Sequence, residues 1–323
     1  MDHPACGSSS IFESLMVRYR SLVDDSARWD GFEFRPGDIV ISTPKKCGTT
    51  WTQMLCALLI FDGRVFPAPL EQLSPWLDMC NQPIDAVRAA LARQTHRRLI
   101  KTHTPLDGLL VRDDVTYVVT GRDPRDAAVS FEHHAANMDY DRFLALRAAA
   151  MGNDDLNDMP PRRVPLDDAL EQFRWFVRDD ALAGPPTLAG ILHHLDTAWR
   201  RRHDQNVVLC HFADFTRDLV GELRRLAAAL RIELSAERAA QLAPEAGLDR
   251  MRERAHEIAP AASQGNWKDP NAFFRSGGFG EWRDRLTRED AEEYARRVAR
   301  LVPADLASWA HLGRLASGID PAA

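Results

Sequence analysis

Long apolar runs are missing from this chain. The run Met54–Phe61 falls far short of the roughly 20 residues that a membrane-spanning helix needs, so no transmembrane segment is expected. Cysteine is sparse. Cys6, Cys47, Cys56, Cys80 and Cys210 make an odd set of five with no CxxC pair, which argues against a disulfide scaffold or a zinc site and for a reducing compartment. There is no excess of basic charge. Lys plus Arg total 41 against 47 Asp plus Glu, a formal net charge of −6, so nucleic acid is not an expected partner. The N-terminal MDHPACGSSSIF lacks a basic start followed by an apolar core, so a signal peptide is not expected and the cytoplasm is the expected location. No internal repeat or evident linker divides the chain, and no metal-ligand cluster stands out. One domain over residues 1–323, with no metal, is the expectation.

What is present is ordinary for a soluble enzyme: 323 residues, 45% hydrophobic and 27% charged. Short β-like runs occur at Asp38–Ser42, Leu99–Thr102, Val115–Thr120 and Asn206–His211. Helical patterns lie at Thr49–Phe61, Pro124–Ala136, Leu166–Val177, Thr187–Arg202 and Leu219–Leu230, and Asp290–Leu315 reads as two helices broken near Pro303. This alternation predicts an α/β fold with a central parallel sheet covered by helices on both faces. Residues 139–186 mix charge, Met, Pro and Gly without clear pattern and read as an insertion or lid. Residues 265–282, rich in Gly, Asn, Ser and aromatics, read as a long functional loop.

Three turns after these strands carry chemistry. In TPKKCGTTW, Thr43–Trp51, a strand runs into a helix N-terminus, where free N–H groups and the positive helix end favour an anion. The lysines precede the only glycine, so this is no Walker A loop, yet the parts of a phosphate cradle are there. Gly48 admits close approach, Thr49 and Thr50 add hydroxyls, and Lys46 adds charge. A helix capped by Thr49 or Thr50 beside exposed lysines is the plain alternative. The second turn, Gly121–Ser130, places Arg122 where its guanidinium can fork onto a phosphate, with Ser130 two turns into the next helix; an Arg122 salt bridge to Asp123 or Asp126 is the alternative. Third, His103 follows the Leu99–Thr102 strand beside Lys101. It is a candidate general base because an imidazole titrates near neutrality, and a structural hydrogen-bonding histidine is the competing account. Cys47, at a helix N-terminus beside lysines, is either a reactive thiol or a passive small residue. Phe66, Trp76, Leu77, Met79, His134 and Tyr140 are candidate walls of an apolar or amphiphilic acceptor pocket, although taken singly each such residue is more often core than ligand contact.

Together these residues resemble the cytosolic type of sulfotransferase that uses 3′-phosphoadenosine 5′-phosphosulfate (PAPS). The resemblance runs from about Asp38 to Trp282. Lys46–Trp51 is similar to the family's 5′-phosphosulfate loop, Lys101-Thr102-His103 to its K-T-H segment, Tyr117–Ser130 to its 3′-phosphate segment, and Arg275–Trp282 to its late R-K-G-x-x-G-D-W segment. The wording SPWLDM, THTPLDGL and GRDPRDAAVS looks most like the mycobacterial glycolipid sulfotransferase type. The resemblance implies a fold related to nucleotide kinases, PAPS as co-substrate and a hydroxyl acceptor such as a glycolipid, phenol or alcohol. By the same resemblance, Lys46, Cys47, Gly48, Thr49 and Thr50 meet the 5′ end, Trp51 packs on adenine, and Arg122, Ser130, Arg275, Ser276 and Gly277 meet the 3′-phosphate. His103 would take the acceptor proton, with Lys46 and Lys101 serving the transferred group. The chain departs from the pattern at Cys47, which replaces a serine, and at Ser276, which replaces a basic residue. It also departs at Leu192, aligned with an adenine-side tyrosine, and at Ala246-Gly247-Leu248, aligned with a Thr-Ser-Phe adenine clamp. A P-loop nucleotide kinase and a non-catalytic nucleotide-binding relative are the competing functions. The former would need a lysine after the glycine and an acidic metal ligand at a strand end.

Overall fold

The computed structural model describes residues 16–159, 166, 168–260, 264–275 and 278–323. Four strands, β1 (Ile39–Ser42), β2 (Leu99–Thr102), β3 (Thr116–Gly121) and β4 (Val207–His211), form one parallel sheet in the order β2-β1-β3-β4. Nearly every strand position is buried, so the strands read as continuous apolar runs, as parallel strands covered on both faces do. The two faces still divide by the alternation of side chains. Val40, Ile100, Tyr117, Val119 and Leu209 enter one core with Leu188, Leu195 and Trp309, while Ile39, Ile41, Leu99, Val118 and Val208 enter the other with Met54, Leu58 and Leu226. The expected α/β architecture is the observed one.

The helices that matter to the site follow the strands: α1 (Thr49–Phe61) after β1, α2 (Pro124–Asn137) after β3, then α3 (Tyr140–Met151), α4 (Ala169–Arg178) and α5 (Leu188–Trp199), and the short α6 (Phe212–Arg217) and α7 (Leu219–Ala229) after β4. Near the C-terminus α8 (Arg288–Leu301) and α9 (Ala304–Ser317) part at Pro303. In-register parallel pairing, with Ser42 opposite Thr102 and Gly121 opposite His211, brings the carboxyl ends of all four strands to one edge. The segments that leave that edge begin at Thr43, His103, Arg122 and Phe212, where ligands of open α/β sheets collect.

The helix α3 interrupts the stretch read as patternless. Only Phe143 and Arg147 are buried on it, and the Arg147 guanidinium donates to the Leu22 carbonyl at 3.1 Å and to Asp155 at 2.6 Å. An arginine filling an inward position erases the apolar periodicity by which a helix is recognised.

Gly121 closes β3 immediately before Arg122, and a Cβ there would lie 2.8 Å from the Trp309 ring. Both are buried, so the clash cannot be relieved into solvent. Gly121→Ala is expected to lower stability by roughly 1–3 kcal/mol, the usual penalty of overpacking. Urea denaturation would show a reduced midpoint, and a parental midpoint would contradict this packing.

Candidate functional site

The turn after β1 is shaped by two residues in the left-handed region, Lys46 at φ 69° and Gly48 at φ 101°. Gly48 is the N-cap of α1 and no side chain caps that helix, so its first-turn N–H groups are left to the turn. A Cβ at Gly48 would meet Phe212 at 3.2 Å, so the turn seats tightly against the segment leaving β4. Neither Thr49 nor Thr50 is the cap; the Thr49 hydroxyl shares a 2.5 Å hydrogen bond with that of Thr43. Cys47 points into the core and is fully buried, and burial pushes its thiol up to about 12. Full burial suits the passive small-residue reading of Cys47. The first turn is tied to the second by the Arg122 guanidinium, which donates to the Lys46 carbonyl at 3.2 Å.

Lys46 turns its ammonium inward. Nζ lies 3.3 Å from His134 Nδ1 and 4.9 Å above the Phe273 ring. Burial first, then the positive charges of Arg122, Lys101 and Arg275, push its pKa down to about 7. Burial likewise brings Lys101 down to about 8, and its Nζ rests 4.2 Å from the Trp76 ring. His103 is oriented by the backbone, since its Nδ1 lies 2.7 Å from the Thr43 carbonyl oxygen. A carbonyl only accepts, so Nδ1 carries the proton and Nε2 keeps its lone pair. Burial, then Lys101 and Lys45, hold this imidazole well below the ordinary histidine range and hence neutral. Trp76 meets the ring edge-on at 4.7 Å.

Arg122 forms no bridge to Asp123 or Asp126. Asp123 caps α2 and pairs with Arg125 at 2.7 Å, and Asp126 accepts the Gly280 N–H at 2.7 Å. Arg122 donates instead to the carbonyls of Lys46 and Gly278, both at 3.2 Å, and lies 4.3 Å over the Phe212 ring. Its buried Nε has no partner among the described residues. An orphaned donor on a buried guanidinium fits an absent anion. Arg275 is half-exposed and paired with Glu281 at 2.5 Å. Ser276 and Gly277 lie outside the described residues.

These groups open onto one cleft of about 1050 Å³. Of the residues singled out in the sequence, Lys46, Gly48, Thr49, Thr50, Trp51, Trp76, Met79, Lys101, His103, Arg122, Ser130, His134, Tyr140 and Arg275 line it, as do Ala246, Gly247 and Leu248. Four do not. Cys47 and Leu77 are core residues, and Leu192 is fully buried on α5 in the core above the sheet, so it is no counterpart of an adenine-side tyrosine. Phe66 packs on Phe61 at 5.8 Å and under the Arg254 guanidinium at 5.1 Å, away from the cleft. Sequence reasoning missed Phe212 and Phe215, which meet Trp51 at 5.1 and 5.4 Å, and the Trp267–Phe273 pair beside His134. The position of Phe212, directly after the last strand, was the available signal.

The family described as "Sulfotransferase domain" matches residues 36–304. The chain is 48% identical to a glycolipid sulfotransferase of Mycobacterium bovis over 95% of its own length and 97% of the relative's, and 47% identical to a glycolipid sulfotransferase of Mycobacterium tuberculosis with the same coverage. Among solved structures, a retinol dehydratase in complex with androsterone and the inactive cofactor PAP superposes with a TM-score of 0.66 at 22% identity, covering 86% of this chain and 84% of that one. A mouse sulfotransferase complexed with PAP gives a TM-score of 0.62 at 18% identity, over 89% and 94% of the two chains. The architecture, the turn that holds Lys46 and the matched span agree: this chain belongs to the sulfotransferase family.

Proposed function

We propose that this sulfotransferase moves a sulfuryl group from PAPS to a hydroxyl of an amphiphilic, glycolipid-like acceptor, with His103 as the base. The observation that carries the reading is the pairing of a buried, cation-lined turn with an imidazole whose lone pair is fixed by the Thr43 carbonyl. Family membership removes the kinase alternative, and the retention of both Lys46 and His103 disfavours a non-catalytic relative.

The site residues suit a ligand with phosphates at two ends. In this reading Lys46, the uncapped start of α1, Thr49 and Thr50 hold the 5′ end. Arg122 and Ser130 hold the 3′-phosphate, joined by Arg275 if it leaves Glu281, and Trp51 with Phe212 and Phe215 forms the adenine wall. PAPS supplies the activated sulfuryl group. His103 Nε2 takes the acceptor hydroxyl's proton as the oxygen–sulfur bond forms and the bond from sulfur to the 5′-phosphate oxygen breaks. Lys46 places positive charge on the leaving oxygen, and Lys101 does so at the sulfuryl oxygens. The transition state of such transfers is loose, so alignment and charge placement supply most of the catalysis. In this reading Trp76, Met79 and Tyr140 form the apolar acceptor side, and described residues of the expected lid, among them Met159 and Trp175, line the same cleft. The 48% identity to a glycolipid sulfotransferase supports the acceptor class. The buried, unpaired state of Cys47, Cys56, Cys80 and Cys210 suits a cytoplasmic enzyme.

Single-turnover assays with radiolabelled donor and a glycolipid acceptor test the roles. His103→Ala and Lys46→Ala are each expected to slow the chemical step by roughly 10²-fold or more. A His103→Ala enzyme turning over at the parental rate would remove the base assignment. Arg122→Ala is expected to act mainly on cofactor affinity. In a thermal-shift titration, 3′-phosphoadenosine 5′-phosphate (PAP) without magnesium should stabilise the parent, and the variant should need roughly tenfold more nucleotide for the same shift. An unchanged titration would place the 3′-phosphate elsewhere.

A further inference from the structure

His134 stands one turn after Ser130 on α2, inside the cleft. Its Nδ1 lies 3.3 Å from Lys46 Nζ. Aromatic rings enclose it: Trp267 edge-on at 4.9 Å, Phe131 stacked at 5.7 Å and Phe273 at 6.2 Å. Phe273 also lies beneath the Lys46 ammonium, at 4.9 Å, so imidazole and ammonium share one wall. Burial, then Lys46, Lys101 and Lys45, keep the imidazole neutral. A neutral imidazole that takes a hydrogen bond from an ammonium at Nδ1 carries its own proton at Nε2.

The groups around Lys46 are otherwise nearly all donors. Arg122 faces it from the turn after β3, Lys101 from β2 and Arg275 from the late loop, the last with its partner Glu281. His133 on α2 also feels its charge, as does the neutral thiol of Cys47 beside it. Lys45, on the same turn, is taken up by Asp24 at 2.8 Å and the Gly184 carbonyl at 2.9 Å, and the Nδ1 of His103 by Thr43. Among the described residues, His134 is therefore the acceptor within hydrogen-bonding reach of the Lys46 ammonium.

We infer that His134 is a positioning residue for the transfer: its Nδ1 accepts a hydrogen bond from Lys46 and holds that lysine in the cleft as an ammonium, ready for the oxygen it must neutralise. The inference rests on the proposed role of Lys46. Removing the acceptor makes the buried ammonium harder to keep, so Lys46 loses its proton at lower pH. Restoring an acceptor at the same place reverses this.

His134→Phe keeps a ring in the aromatic wall and deletes the acceptor, while His134→Asn puts an amide oxygen near the position of Nδ1. His134→Leu repeats the deletion if the phenylalanine variant does not fold. Two readouts are needed. One is the pH dependence of Lys46 acylation in the ligand-free enzyme, followed on its peptide by mass spectrometry. The other is kcat/KM for PAPS as a function of pH. Loss of the acceptor should move the acylation midpoint and the alkaline limb of kcat/KM to lower pH together, leaving roughly tenfold less kcat/KM at pH 8 and about half the parental value at pH 6. His134→Asn should restore most of both. A parental midpoint in the deletion variant, or equal loss of activity at every pH in both variants, would overturn the inference. A midpoint that moves in a parent enzyme without transferase activity would keep the contact and remove the functional reading instead.

Discussion

Like charges gathered out of water are the constraint around which this molecule is arranged. Lys46, Lys101 and Arg122 are brought together at the carboxyl edge of a parallel sheet; burial pushes the pKa of all three downward, and for Lys46 the charges of Arg122 and Lys101 add to it. Their direct contacts are an imidazole, aromatic rings and two carbonyls, while Asp78 and Asp24 near Lys101 and Asp126 and Asp123 near Arg122 offset part of the charge from a distance. Such an arrangement opposes folding unless something else holds it. Here it is held by a tightly packed sheet edge, by the Arg122 hydrogen bond to the Lys46 carbonyl, and by Gly48 and Gly121 admitting Phe212 and Trp309 closely. Positive charge desolvated in this way favours an anionic ligand, and a doubly phosphorylated adenosine supplies one.

The acceptor side is built differently. His103 needs no neighbouring carboxylate to set its tautomer, because the Thr43 carbonyl does so, and burial, then Lys101 and Lys45, keeps it neutral with a lone pair at the free nitrogen. Beyond it the cleft turns apolar, through Trp76, Met79 and Tyr140, under helices that the sequence shows poorly. Arg147 and Arg20 both reach Asp155, fastening α3 and the turn after it to the segment before β1.

Legibility in the sequence followed the physical signals. The strands were legible because short apolar runs ended by polar or turn residues have few other meanings; Leu99–Thr102 matched to the residue, and the others within one. The charged turns were legible because Gly, Lys, Arg and Thr after a strand have recognisable anion chemistry. The helix α3 was not, since Arg147 occupies an inward position. Nor could side-chain type separate wall from core. Trp76 and Leu77 are adjacent, yet one faces the cleft and the other the core, and Phe66 and Leu192 fell on the wrong side of the same ambiguity. Which way Lys46 points, and that His134 receives it, depends on an α2 face that periodicity does not specify.

The charge account is tested most directly by the protons that accompany PAP binding. Lys46 is held near 7 in the free enzyme, and an anionic ligand raises it, so at pH 8 the complex must take up a proton that the free site lacks. Isothermal titration calorimetry in buffers of different ionisation enthalpy measures this number. The account predicts uptake of about one proton per nucleotide at pH 8, fading toward pH 6, where Lys46 is already charged. A binding heat independent of the buffer at pH 8 would contradict it.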